Sequence, residues 1–239
     1  MSDLSHYELF APLFVYPDES YREHARVAVD GLRERYPAAA DKLQEFVDLL
    51  PPVDPEFPEI ALNETQEIFT RSFEVQSITT IDVGYVMFGD DYKRAELLVN
   101  LNREHRNVGI ELGTELSDHL PTVLRLIPRW QDKELAEEFV QQILHPALLR
   151  MIQEFHPERI ERRNALYVKH HKTLIATSEL RATMYRRVLS ALRKVLSEDY
   201  EFVFEPPPEQ SSEFLRSIKR ELEIADRGAG HRPSSARQS

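Results

Sequence analysis

Leu135, Phe139, Ile143, Ala147, Met151 and Phe155 put an apolar side chain at every fourth position of the stretch 135–155. That period belongs to an α-helix and excludes a strand, whose side chains alternate with a period of two. Pro146 falls inside the stripe. Proline removes a helical hydrogen bond and crowds the preceding turn, so a kink or a division is expected there.

The rest of the chain is punctuated in the same way. Seven glycines among 239 residues, and a dominance of Leu, Glu, Arg and Ala over runs of β-branched residues, predict an all-α, single-domain helical bundle. The stretch "LSHYELFAPLFVYPD" reads as a helix N-capped by Ser5 and ended by Pro17, and "DESYREHARVAVDGLRERYP" runs on to Pro37. A third helix, "AAADKLQEFVDLL", stops at Pro51-Pro52, and the segment to Pro58 is an extended connector before a helix from about Glu59 to Glu74.

"QSITTIDVGYVMFGDD" is rich in β-branched residues but has no second strong strand to pair with, so it is expected to be irregular or a short helix. Gly89 closes it and Asp90 is placed to cap the next helix, whose face is Tyr92, Ala95, Leu98, Leu101, His105 and Val108, up to Gly109. Residues 158–196 form a basic helical region. The bundle domain is assigned to 1–204, a Pro-rich boundary with the short helix "SSEFLRSIKRELEIA" to 205–227, and a tail expected to be disordered to 228–239.

With no cysteine the chain has no disulfide framework, no thiolate nucleophile and no Cys-ligated metal site. Its amino terminus lacks the features of a signal peptide, and no run of about 18 uncharged apolar residues occurs, so a soluble cytoplasmic protein without stable membrane insertion is expected. Residues 1–156 hold 14 Lys and Arg against 29 Asp and Glu (−15), whereas residues 157–198 hold 10 against 4 (+6). The acidic portion should repel nucleic acid and attract basic peptides, or else only solvate the surface. The basic stretch either balances that acidic front within the fold or docks on an acidic surface or on lipid head groups.

Chemistry concentrates in "ELSDHLP", Glu115 to Pro121. Glu111, Glu115 and His119 would face one side of a helix, but Gly109, Gly113, Ser117 and Pro121 argue against a continuous helix, and no paired Glu-x-x-His motif occurs. Adjacent Ser117, Asp118 and His119 cannot form a hydrolytic triad, because neighbouring side chains point in different directions. What the stretch satisfies is a helix start: Asp118 can accept from a free backbone N–H, Pro121 is tolerated in the first turn, and Leu120, Val123, Leu124 and Ile127 turn inward. Glu115, Asp118 and His119 then form a compact polar knot.

The Glu-x-x-Asp-His pattern at 115–119, followed by Leu-Pro, resembles the signature of the NarJ/TorD family of molybdoenzyme maturation chaperones. "LFVYPD" (13–18) is similar to the family's amino-terminal Tyr-Pro-Asp element, "FTRSFE" (69–74) to its Tyr-Val-x-Thr-Phe-Asp motif, and "FGDDYKRAELLVNL" (88–101) to the Gly-Asp-x-x-x-Arg helix of the nitrate reductase branch. The likeness spans roughly residues 8–130. Ser72 and Ser117 depart from the TorD pattern and put the chain on the NarJ side.

The resemblance implies a helical chaperone that catalyses no reaction and binds no cofactor tightly. It would bind the amino-terminal leader of a molybdopterin oxidoreductase's catalytic subunit and hold that subunit for insertion of the molybdenum cofactor. Molybdenum-cofactor biosynthesis proteins are further implied partners. Carried over by position, Glu115, Asp118 and His119 sit in or beside the client site, Leu120 and Pro121 fix the helix that presents them, and Phe69, Phe73, Tyr92 and Arg94 come from the other matched stretches. A basic leader with an apolar stripe would be steered by the acidic residues, and the imidazole of His119 would make its binding pH-sensitive. A generic helical peptide-binding adaptor, without a role in cofactor loading, is the alternative.

Overall fold

The computed structural model describes residues 4–171 and 179–200. These form a single all-α domain whose apolar residues gather in one core. The segments assigned above to 205–227 and 228–239 lie outside the described residues.

Helix α1 (Tyr7–Phe10) passes directly into a 3₁₀ turn, Ala11–Phe14, because Pro12 cannot continue the α-helical ladder. The N-cap is His6, without a side-chain bond, and not Ser5 as expected. α2 (Tyr21–Arg33) and α3 (Pro37–Leu49) are joined by three residues and fold back on one another, with Pro37 at the start of α3, where its missing N–H has no partner to lose. α4 (Pro58–Phe73) begins at Pro58 for the same reason.

After α4 the chain is irregular until α5 (Val83–Phe88), which Gly89 ends at φ +61°. Asp91, one residue beyond the expected cap, accepts from the Lys93 N–H and starts α6 (Tyr92–Asn107). Gly109 takes φ +70° just past α6. α7 (Leu120–Leu126) carries Leu120, Val123 and Leu124 fully into the core.

The four-residue stripe resolves into α8 (Lys133–Phe139), a π-helical turn (Val140–Leu144) and α9 (His145–Glu154). Pro146 has no N–H to offer the preceding turn, and the His145 N–H instead reaches back to the Val140 carbonyl. A strict spacing of four also drifts about 40° per step around a 3.6-residue helix. The wide turn takes up part of that drift, and Phe139, Ala147, Met151 and Phe155 all stay buried.

The basic region contains α10 (Pro157–His171), α11 (Glu179–Ala182) and α12 (Tyr185–Asp199). α12 packs on α3 and α9 as the central helix. At its start Tyr185 stacks edge-on against Phe69 and Phe73, and its hydroxyl shares a 2.8 Å bond with that of Tyr21, which also donates to the Leu13 carbonyl. Much of the region's charge is answered internally. Arg159 and Arg163 bond Glu154 at 2.7 and 2.6 Å, Arg181 pairs with Glu64, and Arg187 pairs with Glu45.

At the other end of α12, Asp199 accepts from Tyr36 at 2.6 Å and from His6 and Tyr7 at 2.7 Å, tying this helix to α1 and to the residues after α2. Burial alone would raise its carboxyl, but the hydrogen bonds from His6, Tyr36 and Tyr7 outweigh burial and hold it below the usual carboxylate value. The carboxylate therefore contributes stability that is complete above the unfolded value of about 3.9 and is lost as the pH falls through the lower folded value. Asp199→Asn turns one acceptor into a donor facing other donors. It is expected to cost about 2 kcal/mol at pH 7 and to flatten the acid limb of the stability–pH curve measured by urea unfolding. Among the described residues no helix is long and apolar enough to cross a membrane.

Candidate functional site

Two chain segments far apart in sequence meet at Asp82 and His119. The Val83 N–H donates to the Asp118 carbonyl at 2.9 Å and the Leu120 N–H to the Ile81 carbonyl at 3.0 Å, an isolated antiparallel bridge. It sets the beginnings of α5 and α7 side by side, with Asp82 and His119 as their N-caps. Neither cap side chain bonds its own helix, so both are available to each other. His119 Nδ1 lies 3.0 Å from Asp82 Oδ1 and 3.8 Å from Glu115 Oε2. Donation to Asp82 places the proton on Nδ1 and leaves Nε2 without a partner among the described residues.

Arg94, on the first turn of α6, closes the arrangement. Its Nε donates to Asp118 Oδ2 at 2.9 Å, and its Nη2 to Asp118 Oδ1 at 3.3 Å and Asp82 Oδ2 at 3.2 Å, while the guanidinium lies 5.0 Å from the centre of the Tyr85 ring. Asp118 is wholly buried. It is therefore not the helix cap its position suggested but the buried acceptor of a forked cation. Burial pushes its carboxyl above the usual range, the Arg94 bond pulls against that, and Asp82 adds to the rise. Burial likewise disfavours the Arg94 charge, but Asp118 first and then Asp82 more than offset it and hold Arg94 above its ordinary value.

The knot needs close approach of α5. A Cβ on Gly84 would stand 2.7 Å from Asp118 Oδ2 and 2.9 Å from Leu97 Cδ2. Gly84→Ala is thus expected to push Asp118 off Arg94 and to destabilise the domain by about 2 kcal/mol, the scale of an overpacked core position. A thermal melt checks this, and an unshifted midpoint would contradict it.

In front of the knot lies a cleft of about 500 Å³. Phe69, Phe73, Ile81 and Pro121 supply its apolar lining, with Val15 and Tyr16 alongside. The Tyr16 ring is about half exposed and stands edge-on to Phe69 at 5.7 Å. Glu74, Asp82, Glu111 and Glu115 face Arg125 around it, so the rim is acidic. An apolar floor with an acidic rim suits a segment carrying apolar side chains and cations.

Of the residues proposed from sequence, Phe69, Phe73, Glu115, His119 and Pro121 line this cleft. Arg94, itself held by Asp118, stands behind it and bonds Asp82, through which it orients His119. Leu120 is fully buried and can only support α7. Tyr92 is 67% exposed at the start of α6 and does not line the cleft. Asp82 was missed. Its signal was an acidic residue at a helix start with no capping bond to make, which only the bridge to His119 reveals.

α7 begins at Leu120, so Glu111, Glu115 and His119 do not share a helix, and among the described residues no group of three or more His, Asp or Glu side chains could hold a metal ion. Compared with known proteins, the chain matches no family model and no curated protein sequence.

Proposed function

We propose that this chain is a maturation chaperone of the NarJ/TorD type, its bundle a version of that family's fold. It acts in the cytoplasm on the catalytic subunit of a molybdopterin oxidoreductase. It catalyses no reaction. It binds the client's amino-terminal leader in the acidic cleft and keeps the apo-subunit open while the molybdenum cofactor is inserted, with cofactor biosynthesis proteins as the other partners.

One observation supports this reading above the rest. The four stretches that carry the family resemblance are separated by up to about a hundred residues, yet they supply one place: Val15 and Tyr16 from the first, Phe69, Phe73 and Glu74 from the second, Arg94 from the third, and Glu115, Asp118, His119 and Pro121 from the fourth. A shared role in one binding site accounts for that convergence. The mechanism follows from the chemistry of the cleft. Acidic groups raise the encounter rate of a basic leader, the aromatic floor takes its apolar side chains, and His119, oriented by Asp82, presents Nε2 to a polar group of the guest.

The test is co-purification of the untagged client from native lysate, followed by calorimetric titration with that client's synthetic leader. Saturable one-to-one binding, weaker as salt rises, is expected. Retention of an oxidoreductase fragment lacking its leader with equal affinity would remove the proposal.

A further inference from the structure

A second concave site lies away from the cleft, between α3 and the starts of α10 and α12. This crevice of about 350 Å³ is lined by Lys42, Glu45, Thr183, Arg186, Arg187 and Ser190. Three cations and one carboxylate line it, and that carboxylate is already engaged, since Arg187 Nε bonds Glu45 at 3.1 Å. The side chains of Lys42 and Arg186 have no ion-pair or hydrogen-bond partner among the described residues. The contrast with their neighbours is informative, because Arg159, Arg163 and Arg181 are each answered by a glutamate within the fold.

Like charges gathered in one crevice repel, and an anion lodged between them removes that cost. The geometry narrows its class. A volume of about 350 Å³ is at the small end of ligand sites and suits a small anion. Guanidinium forks match phosphate oxygens two at a time, an ammonium adds a point charge, and the hydroxyls of Thr183 and Ser190 border the same space.

We propose that this crevice binds a small molecule carrying two or more phosphate-type groups, with Lys42 and Arg186 as the charge-bearing contacts and Arg187, held by Glu45, as the third. The proposal does not depend on the leader cleft, and either site can fail without the other.

Inorganic pyrophosphate is the probe, added to the full chain at constant ionic strength set with sodium chloride. The melting temperature is expected to rise saturably, as linkage requires for a ligand of the folded state. Lys42→Gln with Arg186→Gln should weaken pyrophosphate binding about tenfold or more, as loss of charge-assisted bonds predicts, while Glu115→Gln leaves it unchanged. Neither substituted residue is buried, so circular dichroism should show an unaltered fold, and Arg186→Lys, which keeps the charge and loses the fork, should give an intermediate loss. An equal shift in the double variant, an equal shift with chloride alone, or no shift at all would overturn the proposal. So would recovery of the protein on phosphatidylglycerol vesicles through Arg186 while pyrophosphate leaves the melt unmoved.

Discussion

Arg94→Ala is expected to cost about 3–5 kcal/mol, the range for removing one partner of a buried ion pair. The cost arises because Asp118, wholly buried, and Asp82 would then face each other with no cation between them. Arg94→Lys keeps the charge but cannot reach both oxygens of Asp118 and Asp82 together, so an intermediate loss follows. Pairing Arg94→Ala with Asp118→Asn should recover part of the deficit, since the second change removes the stranded charge. Urea unfolding followed by circular dichroism measures all three. A loss under about 1 kcal/mol for Arg94→Ala would place the pair among exposed ion pairs of little worth and contradict its structural role.

The second large effect is on binding. Glu111→Arg with Glu115→Arg inverts two rim charges and brings the surroundings of Arg125 to excess positive charge. Affinity for the proposed leader is expected to fall more than tenfold, with the greater share in the association rate, and its salt dependence should shrink. Both residues lie outside helices and Glu115 is exposed, so the unfolding midpoint should barely move. Calorimetric titration at two salt concentrations distinguishes this from a cleft that grips only by apolar contact, for which the double variant would bind as well as the wild type.

The helices were legible in the sequence because proline and glycine mark their ends locally. Pro37, Pro58 and Pro121 fall in first turns and Gly89 at a close, as their backbone chemistry requires. What escaped notice involved competition between local and long-range partners. Asp118 has the residue type and position of a cap, but a buried guanidinium from another helix offers it a forked bond that a single backbone N–H cannot match. Asp90 and Asp91 are equivalent as caps by type, and only backbone geometry selects Asp91. Pro146 signalled a disturbance in the stripe, and it takes the form of a π-helical turn between α8 and α9, with Phe139 and Met151 both kept in the core.

The site was legible in part for the same reason. Glu115, His119 and Pro121 are neighbours in the chain and stayed together, whereas Phe69 and Phe73 reach them only because α4 ends beside the bridge between Asp82 and His119. Tyr92 shares the turn of α6 that carries Arg94 but points away, as residues two apart on a helix do.

The most direct test is the molybdenum content of the client's catalytic subunit, purified from cells with and without this protein. Without it, the subunit should accumulate largely free of molybdopterin guanine dinucleotide. The wild-type chain should restore loading, and the Glu111→Arg, Glu115→Arg variant should not. Full molybdenum occupancy of every such oxidoreductase in cells lacking the protein would contradict the proposed role as a maturation chaperone.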